Sequence, residues 1–223
     1  MKTKLKTILL LTAGSLFLAT DAWSQVGLSA EVMSRYVWRG ADFGNSPSIQ
    51  PDINYTSGNF EIGTWAAFAT NGNPAGTEVD FYTSYTFVTE GGDFQISLTD
   101  YTFPQAPSGN YFQSSSHFLE AGAGYSGTEI FPVNIFTGVF LTNDDDYSVY
   151  TQIGYEVNDV ELFLGFTPAE SALYGTTSAG VINTGIAVGK DLPVTDLFSL
   201  NLSGAVIANP YSDDLYFLFG IGF

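Results

Sequence analysis

Cysteine is absent from the chain. That excludes a disulfide scaffold and a thiol nucleophile. Basic residues are scarce: six Lys and Arg stand against 23 Asp and Glu in 223 residues. Lys2, Lys4, Lys6 and the acid Asp21 fall within the first 24 residues. Beyond them only the 3 bases Arg35, Arg39 and Lys190 face 22 acids, a formal charge of −19. Such a chain repels nucleic acid and offers it no basic patch, so no nucleic-acid partner is expected. There is one histidine, His117. No glycine-rich phosphate loop, zinc cluster or haem motif occurs, so no cofactor and no metal is expected. After residue 24 no apolar run is long enough for a membrane-spanning helix, so a membrane crossing here needs strands.

The first residues read as a secretory signal peptide. A lysine-rich start is followed by an apolar stretch at 8–19, and Ala22 and Ser24 place small residues before Gln25. Residues 1–24 are therefore expected to be removed, leaving one domain at 25–223.

What remains alternates. Backwards from the terminus, Phe223, Ile221, Phe219, Phe217 and Leu215 share one face of a strand, with Gly222, Gly220, Leu218 and Tyr216 on the other. A period of two marks a strand, and a face this apolar at the end of a chain suits a strand that closes a barrel against lipid. About twelve such segments can be traced, at 26–39, 48–56, 59–69, 77–88, 93–103, 116–125, 132–142, 147–157, 160–167, 179–190, 197–208 and 215–223. Ten to fourteen strands also fit the pattern. Most are close to the roughly 9–11 residues that a tilted membrane strand needs. Tight turns at 56–58, 90–92, 126–128 and 158–159 alternate with longer polar stretches at 40–47, 71–76, 104–115, 143–146, 168–178 and 209–213. The expected fold is all-β: a closed antiparallel transmembrane β-barrel with short periplasmic turns and longer outward loops. A soluble sandwich or lipocalin-like barrel would alternate as well, but its exposed face would carry more lysine and less glycine.

The segments Ser34-Arg-Tyr-Val-Trp-Arg-Gly40, Pro47-Ser-Ile-Gln50, Gly63-Thr-Trp-Ala66 and Glu78-Val-Asp-Phe-Tyr82 resemble the TorF family of porins over about residues 26–88. The resemblance implies an outer-membrane pore of a Gram-negative cell.

On the first segment, Glu31, Arg35 and Arg39 fall on one face. Hiding Arg35 in the lumen would send Tyr36 and Trp38 to the bilayer rim. The lumen candidates are Glu31, Arg35, Arg39, Glu61, Glu78, Asp80, Tyr82 and Glu120. Two readings fit them: a constriction, with the arginines opposing Glu61, Glu78 or Asp80, or a salt-bridge network that plugs a narrow barrel. Asp144, Asp145 and Asp146, with Asp213 and Asp214, read as solvated loop charge.

The expected function is passive diffusion of small cationic or neutral solutes through a carboxylate-rich pore, without enzymatic activity. Outer-membrane lipid and lipopolysaccharide would be the surroundings, and the oligomeric state is open. One alternative is a closed structural or adhesive barrel that works through its outward loops. Another is a lipid-acting enzyme, which would need a serine beside His117.

Overall fold

A computed structural model describes residues 25–107, 109–195 and 198–223. The signal-peptide reading of residues 1–24 lies outside them. Twelve strands close into one antiparallel barrel: β1 (Gln25–Met33), β4 (Ser48–Ser57), β5 (Phe60–Ala69), β6 (Thr77–Phe87), β7 (Asp93–Thr102), β8 (Phe118–Thr128), β9 (Phe131–Phe140), β10 (Val149–Val157), β11 (Val160–Thr167), β12 (Gly180–Thr195), β13 (Phe198–Asn209) and β14 (Asp214–Gly222). Between β1 and β4 lie two short strands, β2 (Tyr36–Trp38) and β3 (Ala41–Phe43), which pair only with each other. The expected fold class and the strand number of twelve are therefore met. Among the described residues, no helix is long and apolar enough to cross a membrane.

The strands form because each presents two different faces. Leu28, Ile53, Ile62, Phe81, Ile96, Leu164, Phe217 and Phe219 point outward; Leu28 is 80% exposed and Phe219 70%. In the alternate register the barrel buries Glu61, Glu78, Asp80, Glu120, Gln152 and Glu161, with Asp80 only 1% exposed. Apolar outside and charged inside is the inverse of a soluble domain. It suits a barrel whose solvent is lipid, because in a closed ladder neighbouring strands satisfy each other's backbone.

The closing seam is short. β1 pairs with β4 along its whole length, but with β14 only at Glu31↔Gly222, Val32↔Ile221 and Met33↔Gly220. Phe223 extends it by exchanging both backbone bonds with Ala30, at 2.9 and 3.0 Å. The terminal phenylalanine thus closes the ladder as well as facing outward.

The structure corrects the first predicted segment. The barrel strand ends at Met33, not Arg39. The Ser34 amide still reaches the Phe219 carbonyl, at 2.8 Å, and then the chain leaves the wall. Arg39 and Gly40 take positive φ values of 50° and 78° and turn it back on itself. Tyr36 and Trp38 are consequently not at the lipid rim, and 40–47 is not an outward loop. Together they form a hairpin folded into the barrel.

Candidate functional site: a lumen crossed by an inward hairpin

The β2–β3 hairpin enters from the side of the longer loops and touches inward-facing residues on opposite walls. Its alternation gives it two faces. Val37 points to an apolar wall built by Phe163 on β11, Ala187 on β12, Ala205 and Ile207 on β13 and Leu218 on β14, with Met33 beside them. Tyr36, Trp38 and Phe43 point the other way. Tyr36 packs on Trp65 of β5, with ring centroids 5.3 Å apart. Its hydroxyl donates to Glu78 Oε2 on β6 at 2.8 Å. Asp80 neighbours Glu78 on the same inner face and is as deeply buried.

The turn of the hairpin carries Arg39, 3% exposed. Its two terminal nitrogens donate to both carboxylate oxygens of Glu120 on β8, at 2.7 and 2.8 Å. One of them also donates to the Tyr174 hydroxyl at 2.6 Å. The Tyr101 hydroxyl of β7 donates to Glu120 Oε2 at 2.8 Å and holds the carboxylate from behind. Aromatic rings surround the guanidinium, with Trp38 and Tyr150 each 4.4 Å from it and Phe136 and Tyr174 at 5.6 and 6.0 Å. A bidentate pair inside an aromatic box is among the strongest ways to hold an arginine. Tyr174 lies in the loop after β11, and burial pushes its hydroxyl up to about 12, so it stays neutral there. The Arg39 Nε atom has no hydrogen-bond partner.

Two glycines permit this packing. A Cβ at Gly138 would overlap the Glu120 carboxylate. A Cβ at Gly40 would overlap the Ile182 carbonyl, and the positive φ there suits glycine in any case. Asn209 on β13 donates to the Gly40 carbonyl at 3.2 Å and fixes the tip to the far wall.

The predicted lumen residues therefore divide. Arg39, Glu78, Asp80 and Glu120 gather along the hairpin. Arg35 is separate, at the mouth, bonded to Asp42 and to Asn45. Tyr82 donates to Asp52 at 2.9 Å further down the wall. Glu61 lies deeper on the inner face of β5, and Glu31 accepts from Ser203 at 2.8 Å near the seam. Sequence reasoning missed Trp38, Tyr101, Phe136, Tyr150 and Tyr174 as site residues. For the barrel-strand residues a signal was present: Tyr101, Phe136 and Tyr150, like Trp65, Phe140 and Phe163, stand in the polar register of their strands.

His117 sits on the loop side before β8. Its Nδ1 meets Asp100 Oδ2 at 2.7 Å and its Nε2 the Tyr111 carbonyl at 2.6 Å. Both ring nitrogens are taken, which favours the imidazolium, and neither is offered to Ser114, Ser115 or Ser116. In the acidic loop, Asp144 and Asp146 accept backbone amides of Ser148 and Ala172. Among the described residues, no group of three or more His, Cys, Asp or Glu could hold a metal ion.

A family model described as a bacterial protein of unknown function, Gcw_chp, matches residues 19–197. The chain belongs to the Gcw_chp family. The match covers the hairpin and the whole Arg39 cage and ends before β13. The family carries no assigned activity, so the porin role implied by the TorF resemblance rests on the residues. No curated protein matches this Gcw_chp chain. Among solved structures it is similar to outer membrane phospholipase A from Escherichia coli, at 10% identity and a TM-score of 0.38, over 95% of this chain and 93% of that one. The expectation that the chain is not an enzyme is corrected on this finding, because the barrel it is similar to bears an enzyme's name. A likeness this low transfers no activity and no residue to the Gcw_chp chain.

Proposed function

We propose that this protein is an outer-membrane channel for small cationic or neutral solutes, narrowed by the β2–β3 hairpin. The observation that carries the reading is the charge of the inner face. Glu31, Asp52, Glu61, Glu78, Asp80, Glu120, Glu156 and Glu161 occupy inward registers, whereas Arg39 is neutralised by Glu120. A water-filled path beside such a wall attracts cations and disfavours anions. The lipid-facing exterior and the TorF resemblance support placement in the outer membrane, among lipid and lipopolysaccharide. An inward loop that narrows a barrel selects by radius as well as by charge.

A second reading is a closed barrel that works through its outward loops. The filling of the loop-side lumen favours it: Met33, Val37, Tyr150 and Ile182 are each at most 2% exposed. Planar-bilayer recording across a salt gradient separates the two. Discrete steps with a cation-selective reversal potential support the channel. A folded barrel that never conducts removes it and leaves the closed barrel.

A further inference from the structure

We infer that the cage around Arg39 is a binding site for guanidinium-bearing solutes, which Arg39 occupies as a tethered stand-in. The inference deepens the channel reading by naming a solute class. It rests on that reading for the route into the lumen, and on the cage alone for the binding chemistry.

Most of the cage belongs to the wall and the loops rather than to the hairpin. Glu120, Tyr101, Phe136 and Tyr150 stand on β8, β7, β9 and β10, and Tyr174 on the loop after β11; only Trp38 travels with Arg39. If the hairpin withdraws, a carboxylate flanked by aromatic faces stays behind. Its geometry is specific. Both Glu120 oxygens are engaged at once by the flat fork, which an ammonium or an alkali ion cannot reproduce. The carboxylate is held by the Tyr101 hydroxyl and lies in the space left by Gly138. The main stacking ring, Tyr150, is itself fixed, donating to Gln152 at 2.6 Å and accepting from Asn183 at 2.8 Å. A planar cation slides onto that face, whereas a hydrated potassium ion gains little from it.

The stand-in is displaceable in kind. Recognition runs through the two terminal nitrogens, which any alkylguanidine shares, and Nε contributes no hydrogen bond. Arg39 reaches the cage from a backbone held at positive φ on a hairpin of two three-residue strands. Without its cation, the buried Glu120 carboxylate is left uncompensated and demands another.

The test uses the full chain carrying Arg39→Ala, purified in detergent and shown to be folded by its heat-modifiable migration. Methylguanidinium, methylammonium and potassium are titrated separately at constant ionic strength, with binding read by calorimetry and by aromatic fluorescence. Methylguanidinium is expected to bind about tenfold more tightly than either other cation. A further Glu120→Gln change is expected to abolish that preference. In bilayers, methylguanidinium is expected to lower the conductance of Arg39→Ala toward that of the unsubstituted protein. Equal binding of all three cations, or none, in the folded variant overturns the inference. Should Arg39→Ala fail to fold, Arg39→Gln fills part of the space with a neutral amide and leaves the Glu120 carboxylate without a cation. It is expected to bind methylguanidinium with the same order of preference, and no preference overturns the inference. Conductance without guanidinium binding sinks the cage and spares the channel. Binding without conductance in any variant supports the cage and sinks the channel.

Discussion

Where β11–β14 face Val37 the inner wall is apolar, and Phe163, Ala187, Ala205, Ile207 and Leu218 bury that side chain. Along β5–β8 the inner wall is acidic and aromatic, and Glu78, Asp80, Tyr101 and Glu120 meet Tyr36, Trp38 and Arg39. The same hairpin is held by both walls, but not in the same way. Apolar contact is undirected and roughly proportional to area, so it seals one side of the lumen against water. The acidic side depends on directed bonds to a charge, and each bond can be exchanged for another cation or for water. A solute path is therefore expected along β5–β8, with β11–β14 as the hinge side.

Removing one partner on the acidic wall should have the largest effect. Glu120→Ala leaves a buried guanidinium without its carboxylate and is expected to cost about 3–5 kcal/mol of barrel stability. Urea unfolding in detergent reads this, and the double change Glu120→Ala with Arg39→Ala should recover part of the loss. On the apolar wall, Val37→Asp buries a carboxylate among Phe163, Ile207 and Leu218, with an expected cost of about 3 kcal/mol. If the two walls differ as described, the uncharged change Val37→Asn loosens the hairpin without changing ion preference. A smaller effect is expected from Glu78→Gln combined with Asp80→Asn, which keeps the shape and removes charge. The reversal potential across a salt gradient should move toward zero while the folded fraction stays unchanged.

The smallest effect lies outside both walls. The Asp100 carboxylate, and then the Tyr111 carbonyl, raise the His117 imidazole above its ordinary value. A raised value means that the pair's contribution is fully present below about pH 6.5 and is lost as pH rises through the folded-state value. Protease nicking of 103–117 should therefore be slow in mild acid and faster in alkali. His117→Gln should flatten that dependence.

The contrast between walls also explains what was legible in the sequence. The lipid-facing half of each strand reads directly, because Leu28, Phe81, Ile96 and Phe217 recur every second residue and that period is local. The tight turns at 56–58 and 90–92 are local too. The hairpin is different. Tyr36 and Trp38 continue the alternation begun by Leu28 and Val32, so a strand running to Arg39 satisfies every local rule. It stops at Met33 although β14 continues to Asp214, and what draws the chain inward, such as the pairing of Arg39 with Glu120, lies far away in sequence. Arg39 and Glu120 are 81 residues apart, and nothing near either names the other. Glu31, Glu61, Glu78, Asp80, Tyr82 and Glu120 were legible as inward by parity alone. Their grouping was not, because it depends on which strands curve across from which. Only Gly40 and the aromatics standing in polar registers, such as Tyr101 and Tyr150, signalled a filled lumen.

The most direct measurement is single-channel recording of the unsubstituted protein beside Gly40→Val, in the same bilayers and salt gradient. The substitution forces the hairpin tip off the Ile182 carbonyl and strains its positive φ, yet alters no charge on the inner face. The expected result is a several-fold larger conductance with the same cation preference, from a barrel that still shifts on heating. Equal conductance in two folded proteins would contradict the hairpin as the constriction of this lumen.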